Sequence, residues 1–338
     1  MRGIRNRDGS ASILALTILI LIASVAAGGA LVLQAALSSI SRSSERERLR
    51  HLLHEEGERI TALLAADPTP EADSPFDPVW ASLTSPRARG LRVALEDVSS
   101  RLNANWVQKS LMQKKDFGDF LQRGRTPGEL QQRREDRGIS PDIGSEYGDL
   151  IDADALSRCF SGYGYANINT TDEFALRTLY SIRMADPAGA EVFHSRWQQT
   201  MIREKSVKRS DLREFLGLDY GKLFPVMNVE PAFNVHFIEP LLLTRLLSIS
   251  DLKIPEPAES AQLILSGRDR CEITAEGLRR MIGATDDNMI FQYLGVTTWF
   301  WRITVSLGAW RLQLIVARIP SDRGSHARFL IAEERYLP

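Results

Sequence analysis

The sequence predicts an α+β protein: a long N-terminal membrane-spanning helix leads into a small α/β head, which is interrupted by a large all-helical insertion containing a repeated helical unit. Three observations predict this. An uncharged apolar stretch lies near the N-terminus, alternating strand patterns lie near residue 91 and beyond residue 299, and a helical pattern between them occurs twice. The chain has 338 residues, 43% of them apolar and 25% charged, enough for about two domains with packed cores. Lys and Arg number 42 against 43 Asp and Glu, a formal charge of -1 that argues against a globally basic nucleic-acid binder. Two cysteines make neither a disulfide framework nor a cysteine-only zinc site, and 5 scattered histidines offer little for a metal cluster.

From Gly9 to Ser41 there is no charged residue, and Ile13 to Leu37 is largely Ile, Leu, Val and Ala. About 20 such residues, at about 1.5 Å each, cross a hydrocarbon core. Arg2, Arg5 and Arg7 precede the run, so the positive-inside bias keeps the N-terminus cytoplasmic and places the rest of the chain across the membrane. Arg42, Arg46, Arg48 and Arg50 follow it, but Glu45 and Glu47 are interleaved. Three readings compete: a secretory signal peptide cut after Val25-Ala26-Ala27, an uncleaved signal anchor, and a prepilin leader. The apolar run outlasts Ala27 by ten residues, longer than an ordinary signal core. Gly9 followed at once by Ser10-Ala11-Ser12-Ile13-Leu14 has the third layout, a basic leader over 1–9 with cleavage between Gly9 and Ser10.

Beyond the span, Leu49, Leu52, Leu53, Ile60, Leu63 and Leu64 recur at helical spacing, and no proline occurs before Pro68. One helix is therefore expected over 10–66, about 85 Å long, apolar all round at first and then amphipathic against a folded head. His51 and His54, near Glu55 and Glu58, read better as a solvated helix face than as a metal site. Asp67 to Pro78 is a proline-rich breaker. Leu91 to Glu96 alternates as a half-buried strand. Trp299, Trp301, Ile303, Val305 and Leu307 share one face of a second strand, Gly308-Ala309 turns the chain, and Leu312, Leu314 and Val316 alternate on the return. A short final strand is expected over Phe329 to Ala332. The head is thus drawn from 67–108 and 291–338, around an insertion at 109–290.

Within the insertion, Asn167-Ile168-Asn169-Thr170 and the residues through Ile182 line up with Asn234-Val235 through Ile249 at a shift of 67. Asp211 to Gly217 matches Gly277 to Gly283 at a shift of 66. Two copies follow, near 165–218 and 232–284, with Gly217 and Gly283 suited to left-handed helix ends. Thr170 and Glu173 have capping-box spacing. Gln113 to Glu146 is polar, charged and glycine-dotted, and reads as a loop or weakly ordered helices.

Taken in order, these pieces resemble the large minor pseudopilin of bacterial type II secretion systems, the K subunit. The resemblance rests on Gly9 before the apolar helix, Phe76-Asp77-Pro78-Val79-Trp80-Ala81, Leu95 through Asn105 with its Asn-x-Asn, Asn167-Ile168-Asn169-Thr170, and Thr297 through Ile303. It implies a pilin-type head in the periplasm on a single-pass anchor in the inner membrane, processed by a prepilin peptidase at Gly9–Ser10. It further implies a structural role in protein secretion: capping or starting the pseudopilus together with the minor pseudopilins I and J and the major pseudopilin. Most pilins carry a glutamate at the fifth mature position, which answers a neighbour's N-terminal ammonium inside the bilayer. Leu14 stands there, as suits a subunit at the tip with none above it. Ser10 departs from the usual apolar first residue, and His236-Phe237 replaces the counterpart of Asn169-Thr170. Calcium is implied by the resemblance only, since no ligand spacing in this chain carries over; no other cofactor is expected.

Two other readings share parts of the pattern. A minor pilin of a type IV pilus has the same leader and helix. A membrane-tethered helix-hairpin-helix DNA-binding protein opens on a similar Asn motif, but its hairpin glycines are missing after Leu179 and after Leu246, leaving Lys205, Lys208 and Arg209 as the basic residues best placed for phosphate. No Gly-x-Ser-x-Gly, His-Glu-x-x-His or phosphate-loop motif supports an enzyme, and Asp152-x-Asp154 and Asp286-Asp287 read as caps and turns. Cys159 and Cys271 lie in the insertion, where an oxidising compartment permits either a disulfide or two buried free thiols.

Overall fold

The computed structural model describes residues 5–69, 71–83, 90–320 and 328–337, and the side chains of these except 5–15, 22 and 328. Met1 to Ile4 of the expected leader lie outside the described residues, as do the side chains of Gly9, Ser10 and Leu14. The chain divides into two units, 1–55 and 56–338. One helix, Arg5–Ala65, occupies the first unit and continues into the second. In the first unit every described side chain from Leu16 to Arg48 is exposed, and the helix is long and apolar enough to cross a membrane.

In the second unit the helix end turns Ile60 and Leu64 inward. Gly57 sits against the sheet so closely that a Cβ would stand 2.5 Å from Leu314 Cδ1 and 3.5 Å from Leu312 Cδ2. The helix stops where Asp67 Oδ1 accepts the Thr69 amide at 2.9 Å, ahead of Pro68.

The sheet begins with β1 (Leu91–Asp97). The chain then passes through three short parallel pairs: β2 (Leu102–Asn103) with β3 (Phe160–Ser161), β4 (Ala166–Asn167) with β5 (Met227–Asn228), and β6 (Phe233–Asn234) with β7 (Leu294–Gly295). It returns to the sheet as β8 (Phe300–Leu307), β9 (Trp310–Ile319) and β10 (Arg328–Leu337). The order is β1-β8-β9-β10, antiparallel throughout, with Leu91 opposite Leu307 and Asp97 opposite Trp301. Gly308, at φ 61°, makes the β8–β9 turn in a conformation that L side chains resist. The final strand is longer than the expected Phe329 to Ala332. A bulge at Ile331/Glu333 lets it bend and keep pairing with β9 to Leu337. Ile303, Val305, Leu312, Leu314 and Val316, the alternating positions of β8 and β9, are fully buried. On the opposite face Phe300, Ile315 and Ala317 pack with Val98, and Tyr163 and Tyr165 lie against them.

The insertion holds three copies of the unit, not two. Each opens on an Asn turn, runs through helices and closes on a two-residue strand parallel to its opening. Gln113 to Glu146, expected as a loop or weakly ordered helices, supplies helices of the first copy: Lys115–Gly118, Pro127–Arg137 and Ile143–Tyr147. The second copy contains helices Glu173–Met184 and Pro187–Glu204, and the third Pro240–Leu247, Pro257–Arg268 and Ala275–Ile282. Gly217 and Gly283 close helices at φ 59° and 67°. Thr170 is not the cap of helix Glu173–Met184. Asp172 takes that place, its carboxylate accepting the Phe174 amide at 3.0 Å, because the Asn turn carries the chain on to Thr171 before the helix starts.

The copies share hydrophobic cores unequally. Phe117, Phe120 and Leu130 of the first copy belong to one cluster with Val235, Leu242, Leu246 and Ile264 of the third. Leu176, Phe193, Leu212, Phe215, Leu223 and Met227 of the second copy form a separate cluster drawn from that copy alone.

Candidate functional site

The Asn motifs singled out in the sequence are the joints of the insertion. Asn103, Asn167 and Asn234 each turn Oδ1 onto the amide two residues on, at 2.9, 2.8 and 3.0 Å. The following motif position pins the loop ahead of the copy's later helices. Asn105 accepts the Ser140 amide and donates to the Ser140 carbonyl, both at 2.9 Å. Asn169 does the same to Val207, at 2.7 and 3.0 Å. His236 replaces the third asparagine by accepting the Ile273 amide on Nε2 at 2.8 Å. Burial pushes its pKa down to about 4, so it is neutral and can accept. Between the two motif positions a carbonyl needs a donor. Arg134 Nε supplies one to Ala104 at 2.8 Å, Trp197 Nε1 to Ile168 at 2.9 Å, and Arg268 to Val235 at 3.4 Å. Two residue types, arginine and tryptophan, fill one role.

The third copy joins the sheet through a buried polar knot. Asn234 Nδ2 donates to the Asp73 carbonyl at 2.8 Å and to Thr298 Oγ1 at 3.0 Å. The Asn234 amide donates to Ser100 Oγ at 2.8 Å, and Ser100 Oγ in turn donates to Asp97. Thr298 Oγ1 donates to Asp97 at 3.0 Å, while the Asp73 carboxylate accepts the Thr298 amide at 2.6 Å and pairs with buried Arg318. Burial raises Asp97 above the usual carboxylate range. Burial also pushes Asp73 to about 7, against the opposing pull of Arg318 and the Thr298 amide. Asp73, Arg318 and Gln292, which receives the second copy, escaped the sequence reading, and Thr298 entered it only as part of the Thr297 to Ile303 motif. Their roles depend on partners up to 245 positions away, which no local pattern reveals.

Asp67, Asp73 and Asp77 form a three-carboxylate group whose ligand oxygens lie within 4.8 Å of one another. All-oxygen donors suit a hard cation such as calcium. This group does not fit one as folded. Both Asp73 oxygens serve Arg318 and Thr298, and both Asp77 oxygens serve Ser74, at 2.8 and 3.2 Å. Burial pushes Asp77 up to about 6.

The remaining sequence candidates take plainer places. His51 lies exposed on the helix, 3.4 Å from Glu55. Asp152 caps helix Ala153–Cys159, and Asp286 lies 3.5 Å from Arg279. At the helix pair nearest a helix-hairpin-helix, the Asp186 carboxylate accepts the Gly189 amide at 2.9 Å and fills the helix N-terminus that a phosphate would need. Arg209 lies 3.0 Å from Glu230. Cys159 and Cys271 are not joined: both thiols are free, Cys159 inside the shared core and Cys271 on the surface. Of the two alternatives the structure has the free thiols, with Cys271 exposed rather than buried.

The chain therefore combines a helix long and apolar enough to cross a membrane with a head whose Asn-motif side chains are spent on internal joints. No protein-family model matches it, and no curated protein matches it in sequence. Among solved structures it is similar to a chain of the GspK-GspI-GspJ complex of the enterotoxigenic Escherichia coli type 2 secretion system. The identity is 12%, with 88% of this chain and 99% of that chain covered and a TM-score of 0.30, an overlap too loose to establish a common fold.

Proposed function

We propose that the chain is a membrane-anchored, pilin-like assembly subunit, and within that class the K-type minor pseudopilin of a type II secretion system. One observation carries the reading. A continuous 61-residue helix, apolar in its first half, precedes an antiparallel sheet that is split after its first strand by a helical insertion opening on Asn-x-Asn. Of the motifs that resemble the K subunit, Leu95 to Asn105, Asn167 to Thr170 and Thr297 to Ile303 lie on these joints. In this reading the prepilin peptidase cuts between Gly9 and Ser10, and the helix crosses the inner membrane with its N-terminus in the cytoplasm and the head in the periplasm. Leu14 in place of the fifth-position glutamate suits the tip, where the subunit caps or starts the pseudopilus with minor pseudopilins I and J above the major pseudopilin. The role is structural, with no catalytic step.

The test is the mature N-terminus, read by mass spectrometry from cells containing a prepilin peptidase. A start at Ser10 is expected. A start at Gly28 would end the pilin reading, because it removes most of the helix's apolar run from Ile13 to Leu37, the part needed for assembly. Co-purification with minor pseudopilins I and J, lost when residues 2–40 are deleted, separates the K-type role from that of a type IV minor pilin.

A further inference from the structure

We infer that the second copy is a hinged lobe that rocks as one body against the first and third copies, with Gln292 as its latch. The two bodies are defined by their cores. Packed interiors move as units, and an independently closed core is what a rigid lobe requires. The second copy closes its own core, around Phe193 and Phe215, while the first and third share one.

The root of the lobe is clamped. Tyr165, just before β4, donates its hydroxyl to the Arg318 carbonyl at 2.7 Å, and its ring lies 6.0 Å from that of Trp299. Pro231, just after β5, accepts Trp299 Nε1 at 2.9 Å. Both chain crossings are thus fixed at the same indole, and the paired β4 and β5 make a natural pivot between them and the lobe. The Gly162-Tyr163-Gly164-Tyr165 segment is the approach to this pivot.

Across the pivot the seam is polar. Gln292 accepts from Asn167 Nδ2 on its carbonyl at 3.0 Å and from Asn169 Nδ2 on its side chain at 2.8 Å. The Asp172 amide donates to the Trp106 carbonyl at 2.9 Å. Hydrogen bonds of this kind trade readily with water, unlike an apolar interface. A cleft of about 430 Å³ flanks the seam, with Arg209 and Glu230 on the lobe side and Ala275, Leu278 and Arg279 on the third copy. It provides room for the lobe to move.

Hydrogen exchange on the full chain in detergent micelles tests this. In the unaltered protein the Asp172 amide should exchange faster than interior amides of helix Glu173–Met184 and of β8. In Gln292→Ala, which removes the side-chain latch and leaves the Asn167 bond, Asp172 should exchange about fivefold faster or more, with those interior amides unchanged. Exchange of Asp172 at the β8 rate in the unaltered chain would overturn the lobe. So would Gln292→Ala accelerating all three regions equally, because the head would then open only as a single block. Neither readout depends on the secretion partners, so failure here leaves the proposed function standing.

Discussion

The second copy of the repeated unit and the third are built from the same turn, helices and closing strand, yet they are held in opposite ways. The third is fastened to the sheet through a fully buried network of Asn234, Thr298, Asp97 and Asp73, and its apolar face merges with that of the first copy. The second keeps its apolar face to itself and meets its neighbours through hydrogen bonds. The difference teaches that repetition of a fold does not imply repetition of a contact. What a copy does is decided by where its apolar side chains close.

The sharpest break of this comparison is a pair of truncations. Leu246→Ala, in the shared core, should cost about 2–5 kcal/mol and lower the unfolding of the sheet and insertion together. Phe215→Ala, in the separate core, should cost about 3–5 kcal/mol but move only the second copy. Calorimetry resolves this as one shifted transition for the former and a new early transition for the latter. Identical profiles would mean the two cores are coupled.

Smaller effects come from the joints. Asn234→Ala removes two donors and a turn acceptor inside the knot, and Asn167→Ala the same number at the seam. The former should cost about 2–4 kcal/mol in urea unfolding, more than the latter, because its stranded partners are buried away from water.

Acid distinguishes the third copy from the others, whose equivalent positions are asparagines. His236 has a folded pKa of about 4 against an ordinary 6.5, so its contribution is complete above 6.5 and is lost as pH falls toward 4. Asp73 and Asp77, raised to about 7 and about 6 from 3.8, act the other way, costing stability as pH rises through that range. The two trends oppose each other between about 4 and 6.5. His236→Asn should leave the carboxyl trend alone, so the variant gains stability relative to the native chain on going from pH 7 to pH 5, as thermal melts would read. A parallel pH profile for both proteins would contradict this.

The smallest expected effect is a change of mobility that does not occur. Non-reducing and reducing gels should match, with Cys271 labelled by maleimide at once and Cys159 only after unfolding. Burial pushes the Cys159 thiol up to about 11 and hides it.

Much of the architecture was legible in the chain. Alternation in β1, β8 and β9 is local, and so are the glycines at 217 and 283 and the Asn motifs at 167 and 234. The first copy was not legible, for a physical reason. Its helix Pro127–Arg137 turns inward a buried arginine, Arg134, whose guanidinium serves the Ala104 and Val107 carbonyls at 2.8 Å each. A charged residue doing a core position's work erases the apolar rhythm by which helices are recognised. Asn103 and Asn105 stood in plain view within the Leu95 to Asn105 motif, but without matching helices they do not read as the opening of a copy. The polar knot was illegible for a different reason, since its members are single residues brought together only by the closed sheet.

The insertion leaves the sheet after Asp97 and re-enters at Phe300, and these ends are neighbours: Asp97 lies opposite Trp301, and the Val98 amide donates to the Phe300 carbonyl at 3.0 Å. About two hundred residues thus hang from the tip of what is topologically a plain β-hairpin, and loop-closure entropy grows only with the logarithm of the excursion. Such a mounting point is a graft site. The sheet needs its two strand ends held close and is indifferent to the cargo between them, so units can be added, lost or exchanged there while the sheet keeps its register.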